Sequence, residues 1–267
     1  MTTEQLTSAF EQTRGQLKSF LLRMTASVED TEDLVQDTYI KASQKLSTFR
    51  GDSSVKTWLF TIASNLARDN LRAKRRWVAH VTDIARLAAK ANPAFLQESM
   101  QIRTASPHGQ FEIREHIAFC FTCISKSLPL EQQIGILLKE IYEFKVAEIA
   151  QILDTTEAMV KYYLHAGRSK LIDIFEGRCA LINKQGICHQ CSELNGMYNP
   201  RQKFQEEAAK IDMAKEAETA GKERLFDLRL QIIQGIDPFT SRASELQLHH
   251  LEHNRRVMEE YLAKDAG

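Results

Sequence analysis

The stretch HIAFCFTC, residues 116–123, sets His116, Cys120 and Cys123 at steps of four and three, which is one stripe of a helix. A second Cys-x2-Cys pair, Cys188 and Cys191 in CHQC, follows the turn-forming NKQG. Tetrahedral zinc takes four thiolate or imidazole donors, and the two pairs together supply four thiolates. The spacing therefore predicts a structural zinc site of Cys120, Cys123, Cys188 and Cys191, with His116, Cys179 and His189 as reserve ligands. Two alternatives stay open: a thiol redox switch, and packing, because a buried cysteine serves as a small hydrophobe beside Ile113, Ile117 and Ile124.

The elements that must position these groups are helical. Only 11 glycines and 5 prolines punctuate 267 residues, and alternating apolar runs bounded by turns are missing. Apolar residues recur instead at helical spacing, as in Leu34, Ile40, Leu46 and in Trp58, Ile62, Leu66. The expected fold is all-α, with a first helical unit over 1–77, a linker over 78–110 punctuated by Pro93, Pro107 and Gly109, and a second unit over 111–176. A Cys-bearing segment over 177–200 and a charged helical extension over 201–267 complete the chain. The polar N-terminus lacks a signal-peptide pattern, and no apolar run approaches the ~18 residues that span a bilayer. A cytoplasmic protein away from the membrane is expected, where five cysteines point to metal or thiol chemistry before disulfides.

With 35 basic and 35 acidic residues, nucleic-acid binding requires local patches. One exists at the end of the first unit, where Arg68, Arg72, Lys74, Arg75 and Arg76 face only Asp69. Cations so clustered neutralise phosphates; the alternative is a solvated, dipole-matched helix end. A second candidate is FKVAEIAQILDTTEAMVKYYLHAGRSKL, residues 144–171. Val146, Ile149, Ala150 and Leu153 build a short helix, Asp154-Thr155 a turn, and Thr156 caps a second helix anchored by Val160 and Leu164. That is the pattern of a helix-turn-helix, whose second helix enters a major groove, although an ordinary helical hairpin shares it. Its outer face presents Thr156, Glu157, Met159, Lys161, Tyr162, His165 and Arg168.

DTEDLVQDTYIKASQKLSTFRGDSSVKTWLFTIASNLARDNLR resembles region 2 of bacterial sigma factors of the extracytoplasmic-function (ECF) group, and LPLEQQIGILLKEIYEFKVAEIAQILDTTEAMVKYYLHAGRSKL is similar to their region 4. The resemblance implies a promoter-specificity subunit without catalytic chemistry, with core RNA polymerase and promoter DNA as partners and an anti-sigma factor as a further one. It implies that Glu32, Asp33, Leu34, Val35, Gln36 and Asp37 grip the polymerase clamp. It also implies that Phe49, Ser53, Ser54, Lys56, Thr57, Trp58 and Asn65 read a flipped base of the −10 element, with the basic helix end beside them. Trp58 and Phe49 have a competing use as core residues. Tyr162 and Tyr163 stand where the family often shows a small residue and an arginine, which predicts weak reading of the −35 element. Two other functions compete: a stand-alone helix-turn-helix regulator, and a thiol oxidoreductase, which would need a βαβ context that this sequence lacks.

Overall fold

The computed structural model describes residues 1–105, 111–181 and 189–265, and among these the fold is all-α, as the sequence predicts. The helices are α1 Thr3–Thr25, α2 Val28–Gln44, α3 Val55–Arg72, α4 Val81–Lys90, α5 Pro93–Ala105, α6 Ile113–Ser125 and α7 Leu130–Ile136. They continue with α8 Val146–Leu153, α9 Glu157–Arg178, α10 Gln190–Tyr198, α11 Phe204–Ala208, α12 Asp212–Lys215, α13 Lys222–Gln234 and α14 Ser244–Lys264. Local chemistry sets the starts of the first three. Thr2 and Gln5 form a capping box on α1, Ser27 accepts from the Asp30 amide, and Ser54 accepts from the Thr57 amide. The chain divides into two compact units, residues 1–76 with 128–167, and residues 77–127 with 168–267.

In the first unit α1, α2 and α3 pack on one another, and α8 packs on α3. Phe20, Phe60, Tyr142 and Phe144 form one aromatic cluster, with Phe60 4.8 Å from Phe144, 5.4 Å from Phe20 and 5.6 Å from Tyr142 between ring centroids. The Tyr142 hydroxyl donates to Ser19 Oγ at 3.0 Å, so the one polar tip in the cluster is satisfied. Gln133 donates to the Arg23 carbonyl at 3.0 Å and accepts from Arg76, whose Nε also donates to the Leu128 carbonyl at 2.7 Å. Near the end of this unit Gly167 lets α9 approach closely, since a Cβ there would stand 2.9 Å from Ile136 Cγ1.

The second unit corrects the expected linker. Helices α4 and α5 occupy residues 81–105; Val81 and Ala85, one turn apart, are buried on α4, which packs on α14 and α6, and Phe95 is buried on α5, which packs on α14. Pro93 does not interrupt structure; it is the first residue of α5, where its missing N–H costs nothing, and Asn92 accepts from the Phe95 amide at 3.1 Å. The charged extension is also no appendage. α13 and α14 pack on α6, and Leu225, Phe226, Leu230, Ile233, Leu246 and Met258 are buried. Polar groups key the seams: Glu115 accepts from the Ala243 amide at 3.0 Å, Asn199 donates to the Phe111 carbonyl at 2.8 Å, and Tyr198 bonds His250 Nε2 at 2.9 Å.

Two outcomes follow from these cores. Phe60→Ala should cost about 3–5 kcal/mol in urea unfolding, because one ring touches three others. Burial, aided by the neighbouring histidines, lowers the His250 pKa to about 3, so the folded chain binds fewer protons there than the unfolded one. Its contribution to stability is present above pH 6.5 and is lost as pH falls toward 3. Acid titration of His250→Gln, followed by circular dichroism, should show a flatter loss over that window.

Candidate functional site

On α2 the segment Glu32–Asp37 splits into two roles. Leu34 and Val35 are buried in the first unit, whereas Glu32, Asp33, Gln36 and Asp37 are exposed. Glu32 is ion-paired with Lys18. Asp33, Gln36 and Asp37 share a face with Ile40, one of the few large apolar residues left in the open at 41 % exposure. In the sequence Ile40 belongs to the apolar series Leu34, Ile40, Leu46. Its step of seven from Asp33, on the face opposite Leu34 and Val35, was the signal that places it outside. The buried pair offers no side chain to a partner, so of the segment and its neighbours only Glu32 and the stripe Asp33–Gln36–Asp37–Ile40 stand on the open side of α2.

The α3 region divides in the same way. The Thr57 backbone amide is held by Ser54, and its hydroxyl donates to Glu148 on α8 at 3.2 Å; the side chain is buried. Lys56 lies 4.9 Å over the Phe144 ring. Ser54 and Asn65 are exposed, and Ser53 is half-buried. Phe49 and Trp58 meet at an interplanar tilt of 44° with centroids 4.9 Å apart, and both remain half-exposed rather than joining the core. Trp58, Asn65 and Arg72 recur every seven residues, so an aromatic surface, an amide and a cation line one outer edge of α3. Arg72 pairs only with exposed Asp69, Lys74 reaches Asp30 at 3.0 Å, and Arg75 is exposed. Arg68 touches Asn65 and Glu131. Arg76 drops out of the basic patch: burial lowers its pKa to about 10, with Glu131 opposing, and its guanidinium is spent on Leu128 and Gln133.

The helical hairpin has the predicted local chemistry. Asp154 closes α8 in the left-handed region at φ 51°, the Thr155 amide returns to the Ala150 carbonyl, and Thr156 Oγ1 accepts from the Met159 amide at 3.2 Å. Val160 is fully buried, whereas Leu164 is only partly so. Thr156, Glu157, Met159, Lys161, Tyr162 and His165 are exposed, Tyr162 at 57 %. Arg168 is not part of that face. It belongs to the second unit, where it pairs with Asp227 at 2.7 Å and lies over the Phe226 ring.

The cysteines part company. Cys123 has no exposed surface, accepts from Asn254 at 3.5 Å, and has its thiol pushed up to about 12 by burial. Cys120 instead lines a cavity of about 290 Å³ in the second unit, with Cys179, Cys191, His116, His189 and Arg229 also on its wall. Burial lowers the His116 pKa to about 4, and Gln247 and Gln190 hydrogen-bond its ring. Cys188 lies outside the described residues. Of the expected ring, Cys120 and Cys191 line the cavity, whereas Cys123 is turned away from it toward α14; Cys179 also stands on the cavity wall. Among the described residues no three His, Cys, Asp or Glu side chains are already gathered to hold a metal.

Comparison with known proteins adds two family matches, Sigma-70 region 2 over residues 9–77 and Sigma-70 region 4 over residues 119–171. The ECF RNA polymerase sigma factor SigG of Mycobacterium tuberculosis is 30% identical over 168 residues, 59% of this chain and 45% of that protein. The ECF RNA polymerase sigma-E factor of Salmonella typhimurium is 31% identical over 143 residues, 53% of this chain and 72% of that protein. RNA polymerase sigma factor YlaC of Bacillus subtilis is 28% identical over 163 residues, covering 61% and 87%. The chain thus spans about half the length of SigG. Among solved structures, the sigma factor RpoE in complex with the anti-sigma factor NepR from Bartonella quintana aligns with a TM-score of 0.46 and 18% identity, over 65% of this chain and 98% of that one.

Cys179, His189 and Cys191 lie beyond both family matches, so their chemistry has to be read from this chain alone. Iodoacetamide labelling of the folded, chelator-treated chain, followed by peptide mass spectrometry, should modify partly exposed Cys120, Cys179 and Cys191 and spare Cys123 until denaturant is added. Early labelling of Cys123 would contradict its placement.

Proposed function

The chain belongs to the ECF sigma factors, and from that premise we propose that it binds core RNA polymerase in the cytoplasm and directs it to promoters, with no catalytic chemistry of its own. No helix among the described residues is long and apolar enough to cross a membrane. The observation that carries the reading is the outer edge of α3. An unstacked base needs a π-face, which Phe49 and Trp58 supply, and hydrogen-bond groups for its edge, which Asn65 supplies. Arg72, Lys74 and Arg75 follow for the phosphates. The α2 stripe of Asp33, Gln36, Asp37 and Ile40 is the proposed grip on polymerase: carboxylates for a basic surface and one apolar anchor. An anti-sigma protein would compete for these same two faces.

A stand-alone helix-turn-helix regulator fits less well. With Arg168 engaged by Asp227, the outer face of α9 retains Lys161 as its only full cation, offset by Glu157. The −10 side therefore dominates promoter choice in this reading.

The test is capture of core RNA polymerase by the purified chain. Asp37→Lys should weaken capture severalfold while leaving thermal unfolding unchanged, because Asp37 is exposed. Undiminished capture would remove α2 from the interface. On promoter DNA, Arg72→Ala in the holoenzyme should weaken binding broadly and lower the salt slope by about one. Arg168→Ala should lower the melting temperature and leave that slope alone.

A further inference from the structure

The cavity of the second unit combines two features that are costly apart. One is Arg229, 1 % exposed and 3.9 Å over the Phe175 ring, whose Nε and Nη2 have no hydrogen-bond partner among the described residues. A buried guanidinium without a counter-charge is destabilising by several kcal/mol. The other is the donor set on the same wall: three thiols, Cys120, Cys179 and Cys191, and the imidazole of His189, with no carboxylate among the described lining residues. Arg178, also on that wall, is already paired with Asp83.

We propose that Cys120, Cys179, Cys191 and His189 bind one thiophilic divalent cation, zinc in the first instance, and that Arg229 is its counter-charge. Charge decides the pairing. A divalent ion with three thiolates and a neutral imidazole carries a net charge of −1, which one guanidinium neutralises. Each thiol gives up its proton to solvent as it coordinates, so binding releases three protons. Absence of carboxylates disfavours hard cations such as calcium and magnesium, while three sulfurs and one nitrogen match a structural zinc set. Two neighbours are left out by burial: Cys123 is fully buried against Asn254, and His116 is buried with Gln190 and Gln247 beside its ring.

The donors come from three elements: Cys120 from α6, Cys179 from the residue after α9, and His189 with Cys191 from the start of α10. They line one cavity without yet converging, so binding includes its closure. The proposal goes beyond promoter recognition and does not rest on it.

The experiment uses the full chain purified without chelator: metal content by mass spectrometry, then titration with cadmium chloride, read as thiolate-to-metal charge-transfer absorbance. One metal per chain is expected, lost in Cys120→Ser and in Cys191→Ser and retained in Cys123→Ser. Arg229→Met should lower affinity at least tenfold while its metal-free circular dichroism stays that of the parent. If a cysteine variant fails to fold, the charge-transfer signal of the parent chain still decides whether thiolates bind. No bound metal at micromolar free zinc, or loss of metal in Cys123→Ser, would overturn the proposal. So would an Arg229-dependent thermal shift with inorganic phosphate and none with zinc, which would make the cavity an anion site.

Discussion

The four-ring cluster of Phe20, Phe60, Tyr142 and Phe144 sets how α3 is rolled about its axis, and the exposed chemistry of that helix depends on this. With Leu59, Phe60, Ala63, Ala67 and Leu71 turned inward, Trp58, Asn65 and Arg72 have no place but the outside. Rings at these spacings interlock in few ways, and the Tyr142–Ser19 hydrogen bond removes the freedom that a purely apolar cluster would keep. The outer edge of α3 proposed to read DNA is therefore the reverse side of a packing solution. On α2 the same logic holds: burying Leu34 and Val35 is what exposes Asp33, Asp37 and Ile40.

The second unit is held by different means. Its core carries an unusual number of polar side chains, among them Glu115, His116, Arg229, Gln247, His250 and Asn254. Most of these find partners across helix seams, as Glu115 does with Ala243 and His250 with Tyr198. Such bonds add little net stability but penalise every misregistered packing heavily, because a buried group left unpaired costs more than the bond contributes. Arg229 keeps two unpartnered nitrogens among the described residues, and it sits where the thiols are.

The sequence made the helical class and the hairpin turn at Asp154–Thr156 legible, because caps and apolar spacing are local signals. The basic helix end was legible as a cluster, but its sharing-out was not. Arg76 and Arg168 are spent inside the fold on Leu128, Gln133 and Asp227, residues 52 or more positions away, and no local pattern reports that. The apparent linker misled because Pro93 looks the same at the start of a helix as in a loop; only the burial of Val81, Ala85 and Phe95 separates the two cases. The cysteine stripe misled through geometry. Cys120 and Cys123 share a broad face of α6, yet three residues of rotation carry one to the cavity and the other to α14.

The most direct measurement is run-off transcription by core RNA polymerase reconstituted with this chain over a library randomised at both promoter elements. The account predicts initiation that depends on the added chain, with strong base preference in the −10 element, altered by Asn65→Ala, and weak preference in the −35 element. Initiation that is indifferent to the −10 sequence but abolished by −35 changes would contradict it.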